Sequence, residues 1–158
     1  MSKTKKIILT VNLLLVLGFF VFSVVNKEKI LANSTEILLK LAPWDHRSMM
    51  QGDYMKLVYD ISWRINDKNG KYVVVTVDED NVATFVRQQN DKTLNEGELI
   101  LRWTTNKRGR KCIGADNYFC QEGKGDKYGI AGYGLLRVDS DGNCILVGLC
   151  DWEKKLIE

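Results

Sequence analysis

Nineteen consecutive residues near the N-terminus, Ile7–Val25, contain no charged side chain. A helix rising about 1.5 Å per residue would carry this stretch across roughly 28 Å, close to the thickness of the hydrocarbon core of a bilayer. No apolar run of comparable length follows in the chain. We therefore predict a transmembrane signal-anchor helix over residues 7–25. A tail, residues 1–6, precedes it, and a connector, residues 26–35, leads to a folded domain over residues 36–158.

The net charge of +3 indicates an orientation for this helix. Lys3, Lys5 and Lys6 are three of the 23 basic residues, so the chain beyond the helix has 20 basic and 20 acidic side chains. Basic residues flanking a span favour the cytoplasmic side, so we predict a cytoplasmic N-terminus and an extracytoplasmic domain. Because that domain is formally neutral, it lacks the charge of a nucleic-acid binder, and we predict none as a partner.

A cleaved signal peptide is the alternative to a retained anchor, since it also has a basic start and an apolar centre. The apolar stretch here is longer than the usual 7–15 residues, and no small-x-small cleavage pattern stands just before Asn26. The sequence therefore favours the retained anchor.

Short β-type segments and turns dominate the rest of the chain. Residues 53–62 alternate, which would place Met55, Leu57, Tyr59 and Ile61 on one strand face and Tyr54, Lys56, Val58 and Asp60 on the other. Asn69-Gly70 and Asp141-Gly142 are typical of hairpin turns. We predict a mostly β fold, the anchor helix followed by a small antiparallel β-barrel or sandwich-like domain, with strands over residues 36–42, 53–62, 71–77, 82–87, 98–104, 135–138 and 144–149.

Two sequence motifs carry a family resemblance. Residues 52–59 read GDYMKLVY, and residues 118–123 read YFCQEG; the segment at residues 41–48, LAPWDHRS, precedes the first. In this order they resemble the GDYXXLXY family, and the likeness extends over residues 28–149. The resemblance implies a membrane-anchored bacterial protein, in a family of unestablished activity whose members are often encoded beside polytopic membrane proteins.

The motif segments supply our candidate interaction residues. A glycine permits a sharp turn before a strand, and the following aspartate can accept hydrogen bonds from that turn. Tyr54 lies on the strand face opposite Leu57 and Tyr59, where an aromatic ring can contact a partner. The candidates are Asp45, Arg47, Gly52, Asp53, Tyr54, Leu57, Tyr59, Tyr118, Phe119, Glu122 and Gly123.

A catalytic alternative uses Ser48 as nucleophile and Lys107 as base, by similarity to signal-peptidase-like Ser/Lys hydrolases. Such a lysine must be buried to lower its pKa, but Lys107 lies in a polar, strongly basic turn. His46 is the sole histidine, so a Ser-His or Cys-His arrangement has no spare residue. With no CxxC pair and no complete EF-hand loop, we predict no metal and no cofactor, and a non-enzymatic protein is favoured.

Four cysteines lie in the C-terminal part of the domain: Cys112, Cys120, Cys144 and Cys150. An oxidising compartment would permit two disulfides. Cys144 and Cys150 at the two ends of one strand would be about 20 Å apart, too far to pair with each other. Bridges from Cys112 or Cys120 to either of them stay open, as does the alternative of buried free thiols.

The function that these features indicate is a membrane-tethered extracytoplasmic interaction module. We expect it in the bacterial cytoplasmic (inner) membrane, with its domain periplasmic or extracellular and another envelope membrane protein as partner. A Ser/Lys hydrolase and a small-ligand or ion-binding β domain are the alternatives.

Overall fold

A computed structural model of the chain describes residues 3–32, 34–42, 54–106, 109–114, 116–119 and 125–157. The chain divides into two compact units, residues 1–33 and residues 34–158. The first unit is one helix, α1, Lys3–Ala32, which runs through the apolar stretch and most of the predicted connector. Residues 7–25 of α1 are long and apolar enough to cross a membrane and are not buried; a signal sequence would have the same features.

The described part of the second unit is built mostly of strands. A 3₁₀ helix, Asp60–Arg64, and a one-turn helix, α2, Gly125–Tyr128, interrupt them. The strands are β1 Thr35–Lys40, β2 Tyr54–Lys56, β3 Tyr72–Val77, β4 Ala83–Gln89, β5 Glu98–Thr105, β6 Lys111–Ile113, β7 Asn117–Phe119, β8 Tyr133–Val138 and β9 Cys144–Cys150. The prediction of a mostly β fold after one N-terminal apolar helix is therefore confirmed.

Three antiparallel sheets form among these strands. Their orders are β4-β3-β5-β6, β1-β8-β9 and β2-β7. The contacts that link the larger sheets include a bridge between Leu38 and Val82 and a hydrogen bond of 2.8 Å from Arg102 N to Gly142 O. None of the three sheets closes on itself, so the barrel that the strand pattern allowed is not supported.

All three sheets contribute to one hydrophobic core. Val73 and Val75 of β3, Leu39 of β1 and Leu136 of β8 are fully buried in it. The smallest sheet adds Met55, which is 1 % exposed. Since burying a side chain of this size stabilises a fold by about 1.5–3 kcal/mol, the short β2 is held chiefly by packing and not by its few backbone hydrogen bonds.

The segment predicted as a long strand, residues 53–62, differs from the prediction. Its paired part, β2, ends at Lys56, although Leu57 N still donates to Asp116 O (2.8 Å) in the β2-β7 register. The neighbour changes at Val58, whose carbonyl oxygen accepts from Ala42 N (2.7 Å). This change of neighbours bends the chain into the 3₁₀ helix that begins at Asp60. The predicted inward face is nevertheless buried, and the outward residue Val58 is buried too.

The two predicted hairpin turns have different outcomes. Asp141-Gly142 does connect β8 to β9, with Gly142 at φ +82° and Asp139 Oδ1 accepting from Asn143 N (2.8 Å). Asn69-Gly70 is a turn, but it follows the 3₁₀ helix instead of a strand. Gly70, at φ +138°, packs so closely on β4 that a Cβ there would lie 2.4 Å from Gln89 O. Glycine is therefore required at position 70 for two reasons, the close approach of the Gln89 backbone and the positive φ.

Candidate interaction site

The two sequence motifs meet in the β2-β7 sheet, which we call the motif ribbon (Tyr54–Lys56 and Asn117–Phe119). In its register Tyr54 pairs with Phe119, Met55 with Tyr118 and Lys56 with Asn117. Tyr54–Lys56 of the first motif thus lie directly beside the start of the second, although more than sixty positions separate the two segments in the sequence. The side chain of Tyr54 lies outside the described part of the chain, so the face predicted for it is not assigned.

One face of the motif ribbon packs inward. Met55 is buried, and the ring of Tyr118 contacts that of Tyr128 in α2 edge to face, with 5.1 Å between centroids. An aromatic pair of this geometry contributes about 0.5–1.5 kcal/mol beyond the area that it buries. Because Met55 and Tyr118 are directly opposite each other, their strand neighbours occupy the other face.

Phe119 stands on that outer face and is 78 % exposed. No other large hydrophobic side chain of the described residues, α1 included, has so large an exposed fraction. Asn117 and Lys56, the next positions on this face of the ribbon, are exposed and half-buried respectively. The outer face therefore presents an exposed aromatic ring beside polar groups.

The second half of the first motif is buried. Leu57 is 3 % exposed and Tyr59 1 % exposed. The Tyr59 ring lies against the backbone of β8, where a Cβ at Gly134 would lie only 2.9 Å from Tyr59 Cε1. Burial raises the pKa of the Tyr59 hydroxyl far above its ordinary value, and the nearby Cys144 and Asp116 add to this rise. Tyr59 is therefore a neutral packing residue at any physiological pH.

Several predicted site residues lie outside the described residues. They are Asp45, Arg47, Ser48, Gly52, Asp53, Lys107, Cys120, Glu122 and Gly123. Both members of the Ser/Lys alternative are among them. In the part of the chain that the structure describes, no three His, Cys, Asp or Glu side chains are grouped as metal ligands would be.

The three described cysteines are free thiols. Cys144 and Cys150 occupy opposite ends of β9, the arrangement for which the sequence predicted no bond between them. Burial raises the pKa of the Cys144 thiol to about 12, with a smaller contribution from Asp139. Burial also raises the pKa of Cys112 to about 11, helped by its hydrogen bond to Asp116. Both thiols stay protonated at neutral pH, so they are weak nucleophiles.

Sequence reasoning missed one grouping of polar and aromatic residues. The sequence indicates only a polar, strongly basic turn just before Lys111. In the structure the Lys111 ammonium lies 5.1 Å from the centroid of the Trp103 ring and forms an ion pair with Asp67. The local pattern gave no signal for it, since Asp67 and Lys111 are 44 positions apart.

Comparison with known proteins gives one match. The profile of a family described as GDYXXLXY protein matches residues 16–149, most of the chain. No curated protein and no solved structure matches.

Proposed function

The chain belongs to the GDYXXLXY protein family, and we propose that it is a membrane-tethered interaction module that binds another membrane protein through its motif ribbon. The observation that carries this proposal is the exposure of Phe119 on a ribbon formed by both family motifs. A Phe side chain gains about 1.5–3 kcal/mol when it is fully removed from water. A partner that covers this ring therefore gains a substantial part of its binding energy from one residue.

The tether supports a partner in the same membrane. Helix α1 has an apolar stretch long enough to span a bilayer, and three lysines precede that stretch. In our proposal this helix is retained in a bacterial inner membrane, the N-terminus is cytoplasmic and the β unit is extracytoplasmic. Anchoring two proteins in one membrane raises their effective concentration, so that a contact of modest area suffices for association.

Crosslinking from the ribbon tests the proposal. The full-length chain carries benzoylphenylalanine at position 119, and a matched chain carries it at position 63, where Trp63 is also aromatic and 67 % exposed. After irradiation of intact cells and solubilisation in mild detergent, we expect position 119 to capture an integral membrane protein that position 63 does not. Equal capture at the two positions, or none at 119, contradicts the proposal.

Substitution provides the second arm of this test. Phe119→Ser should remove co-purification of the captured membrane protein, while Trp63→Ser should leave it unchanged. Both side chains are exposed, so neither change is expected to alter stability by more than about 0.5 kcal/mol. If both variants retain the partner, the ribbon is not the contact.

The orientation needs its own measurement. An alkaline phosphatase domain fused after residue 158 acquires its disulfides, and hence activity, only outside the cytoplasm. We expect an active fusion, and an intact-chain mass that retains residues 1–25. A cytoplasmic, inactive fusion contradicts the extracytoplasmic placement, and a shortened mass identifies a cleaved signal sequence.

A further inference from the structure

The apolar stretch of α1 at residues 7–25 contains three polar side chains, Thr10, Asn12 and Ser23. Asn12 has the most hydrogen-bonding groups of the three, because its carboxamide has two N–H donors and a carbonyl acceptor. At about 1.5 Å per residue it lies roughly 6 Å from the middle of the stretch. In a helix that spans a bilayer, this depth is well inside the hydrocarbon core.

A single helix gives the Asn12 carboxamide no partner at this depth. The side chain is exposed, and within the described ranges it forms no hydrogen bond. Lipid tails have no donor or acceptor to offer, so an amide that faces them alone is strongly unfavourable. A second transmembrane helix is the usual source of a partner, because asparagine side chains hydrogen-bond across helix pairs in membranes.

Asn12 and Ser23 lie on the same side of α1. They are eleven positions apart, and at about 100° per residue this separation is three turns with an offset of only about 20°. Thr10 is about 200° from Asn12 and therefore lies on the other side. Alternating spacings of three and four residues, the pattern by which helices pair in a left-handed supercoil, connect the two polar positions. We call this series the seam; its members are Leu9, Asn12, Val16, Phe19 and Ser23.

The chemistry of the seam fits a second copy of the same chain. Two copies inserted with the same topology have Asn12 at the same depth, and in a parallel, two-fold symmetric pair each seam residue faces its own counterpart. A carboxamide can both donate to its counterpart and accept from it, so the Asn12 pair is self-complementary. A different helix would need a polar side chain at that same depth. Ser23 is small, which lets the two backbones approach closely at the other end of the seam.

We propose that two copies of this chain form a parallel dimer in the membrane through the seam, with a hydrogen bond between their Asn12 side chains. This inference rests on the retained anchor of the proposed function. The contact uses α1 alone, so it can fail while the proposed partner contact at Phe119 holds, and the reverse. Each dimer carries two copies of the motif ribbon, and hence two of the proposed partner contacts.

Disulfide crosslinking of the full-length chain in native membranes tests which side of α1 forms the contact. One variant carries Val16→Cys on the seam, and the control carries Leu14→Cys, at nearly the same depth but about 160° around the helix. The parent chain, oxidised in parallel, gives the background from its four native cysteines. We expect a disulfide-linked dimer with Val16→Cys, because the two sulfur atoms can meet, and only the background with Leu14→Cys.

Energy transfer between donor-labelled and acceptor-labelled copies of the purified full-length chain in detergent micelles tests the role of Asn12. Asn12→Leu should weaken dimerisation by roughly threefold to thirtyfold, the effect of a hydrogen bond between membrane helices. The added leucine makes the stretch more apolar, so insertion is retained. Asn12→Gln keeps the carboxamide and should dimerise nearly as well as the parent chain. Thr10→Leu is the matched control, since it removes a polar side chain from the other side of α1, and its dissociation constant should equal that of the parent chain.

Four outcomes would overturn the proposed dimer. They are equal crosslinking at positions 14 and 16, a position-16 adduct with a different protein, unchanged dimerisation of Asn12→Leu, and an equal effect of Asn12→Leu and Thr10→Leu. The mass of the chain in the same samples separates this failure from that of the tether. A mass that lacks residues 1–25 overturns the retained anchor and the dimer together, whereas an intact but monomeric chain overturns the dimer alone. An intact dimer that captures no membrane protein from position 119 overturns only the partner contact.

Discussion

Replacing Gly134 by alanine measures how tightly the last tyrosine of the first motif is held in the core. A Cβ at this position would lie 2.9 Å from Tyr59 Cε1, 3.2 Å from Tyr59 Oη and 3.4 Å from Leu146 Cδ1. Tyr59 is 1 % exposed, so its ring cannot turn into solvent and β8 must shift instead. Overpacking of this kind costs about 1–3 kcal/mol. For a domain of this size we expect the unfolding midpoint to fall by roughly 3–10 °C.

Gly148→Ala is the matched control, in the neighbouring strand β9. Its Cβ would come even closer to another side chain, 2.6 Å from Leu156 Cδ1. Leu156, however, is 51 % exposed and can rotate away. Neither glycine has a positive φ, so alanine fits both backbones. We expect Gly148→Ala to change the free energy of unfolding by no more than about 0.5 kcal/mol, because the lower entropy of the unfolded chain offsets the small rearrangement.

Urea unfolding of the full-length chain, followed by tryptophan fluorescence, distinguishes the two outcomes. A third variant, Tyr59→Leu, removes both atoms that the new methyl would strike, and in this background Gly134→Ala should cost about 1 kcal/mol less than in the parent. Equal destabilisation by Gly134→Ala and Gly148→Ala would refute the reasoning, since proximity and not burial would then determine the cost. A neutral Gly134→Ala would show that Tyr59 is loosely packed.

Further predictions concern ionisation. The Arg87 guanidinium, with a hydrogen bond of 2.8 Å to Glu98 Oε2, lowers the pKa of Glu98 to about 2. The stability that this pair contributes is present above about pH 4.3, the pKa of glutamate in the unfolded chain, and is lost as pH falls toward 2. In the Glu98→Gln variant, the urea concentration at the unfolding midpoint should therefore decrease less as pH is lowered. The pKa of Cys144, raised to about 12, predicts a loss of stability at alkaline pH. The stability that the neutral Cys144 thiol contributes is present below about pH 8.5 and is lost as pH rises toward 12. Cys144→Ala should therefore reduce the alkaline decrease of the urea midpoint. Iodoacetamide at pH 7.5 should label the buried Cys112 and the half-buried Cys144 far more slowly in the folded chain than in urea, and equal rates would contradict the raised pKa of both thiols.

The sequence predicted the β-strands well where the signal is local. The β-branched run that forms β3 and the Asp141-Gly142 turn between β8 and β9 are encoded by neighbouring residues. The early end of the strand is different, because it depends on a change of neighbour at Val58, whose carbonyl oxygen accepts from Ala42 N. Whether the strands close into a barrel is likewise a matter of long-range pairing, and no local pattern determines it.

Part of the candidate site was predictable because its signal is also local in the sequence. Strict alternation identified Met55, Leu57 and Tyr59 as one inward-facing set, and all three are buried. The pairing of Tyr54 with Phe119 was not predictable, because it requires the register of two strands far apart in the chain. The contacts of Lys111 with the Trp103 ring and the Asp67 carboxylate were not predictable either, since they join residues far apart in the chain.

The first motif has two parts, a strand of the motif ribbon and a buried segment, and the buried segment would affect how tightly a partner binds the ribbon. A two-stranded sheet is only marginally stable by itself. Here Met55 and Tyr118 pack the ribbon on the core, and Tyr59 fixes the following residues against Gly134. The backbone that carries Phe119 is thus already ordered, so its conformational entropy is not lost again when a partner binds. In the proposed complex, the buried motif residues would therefore contribute to affinity without contacting the partner, by keeping one exposed ring in place.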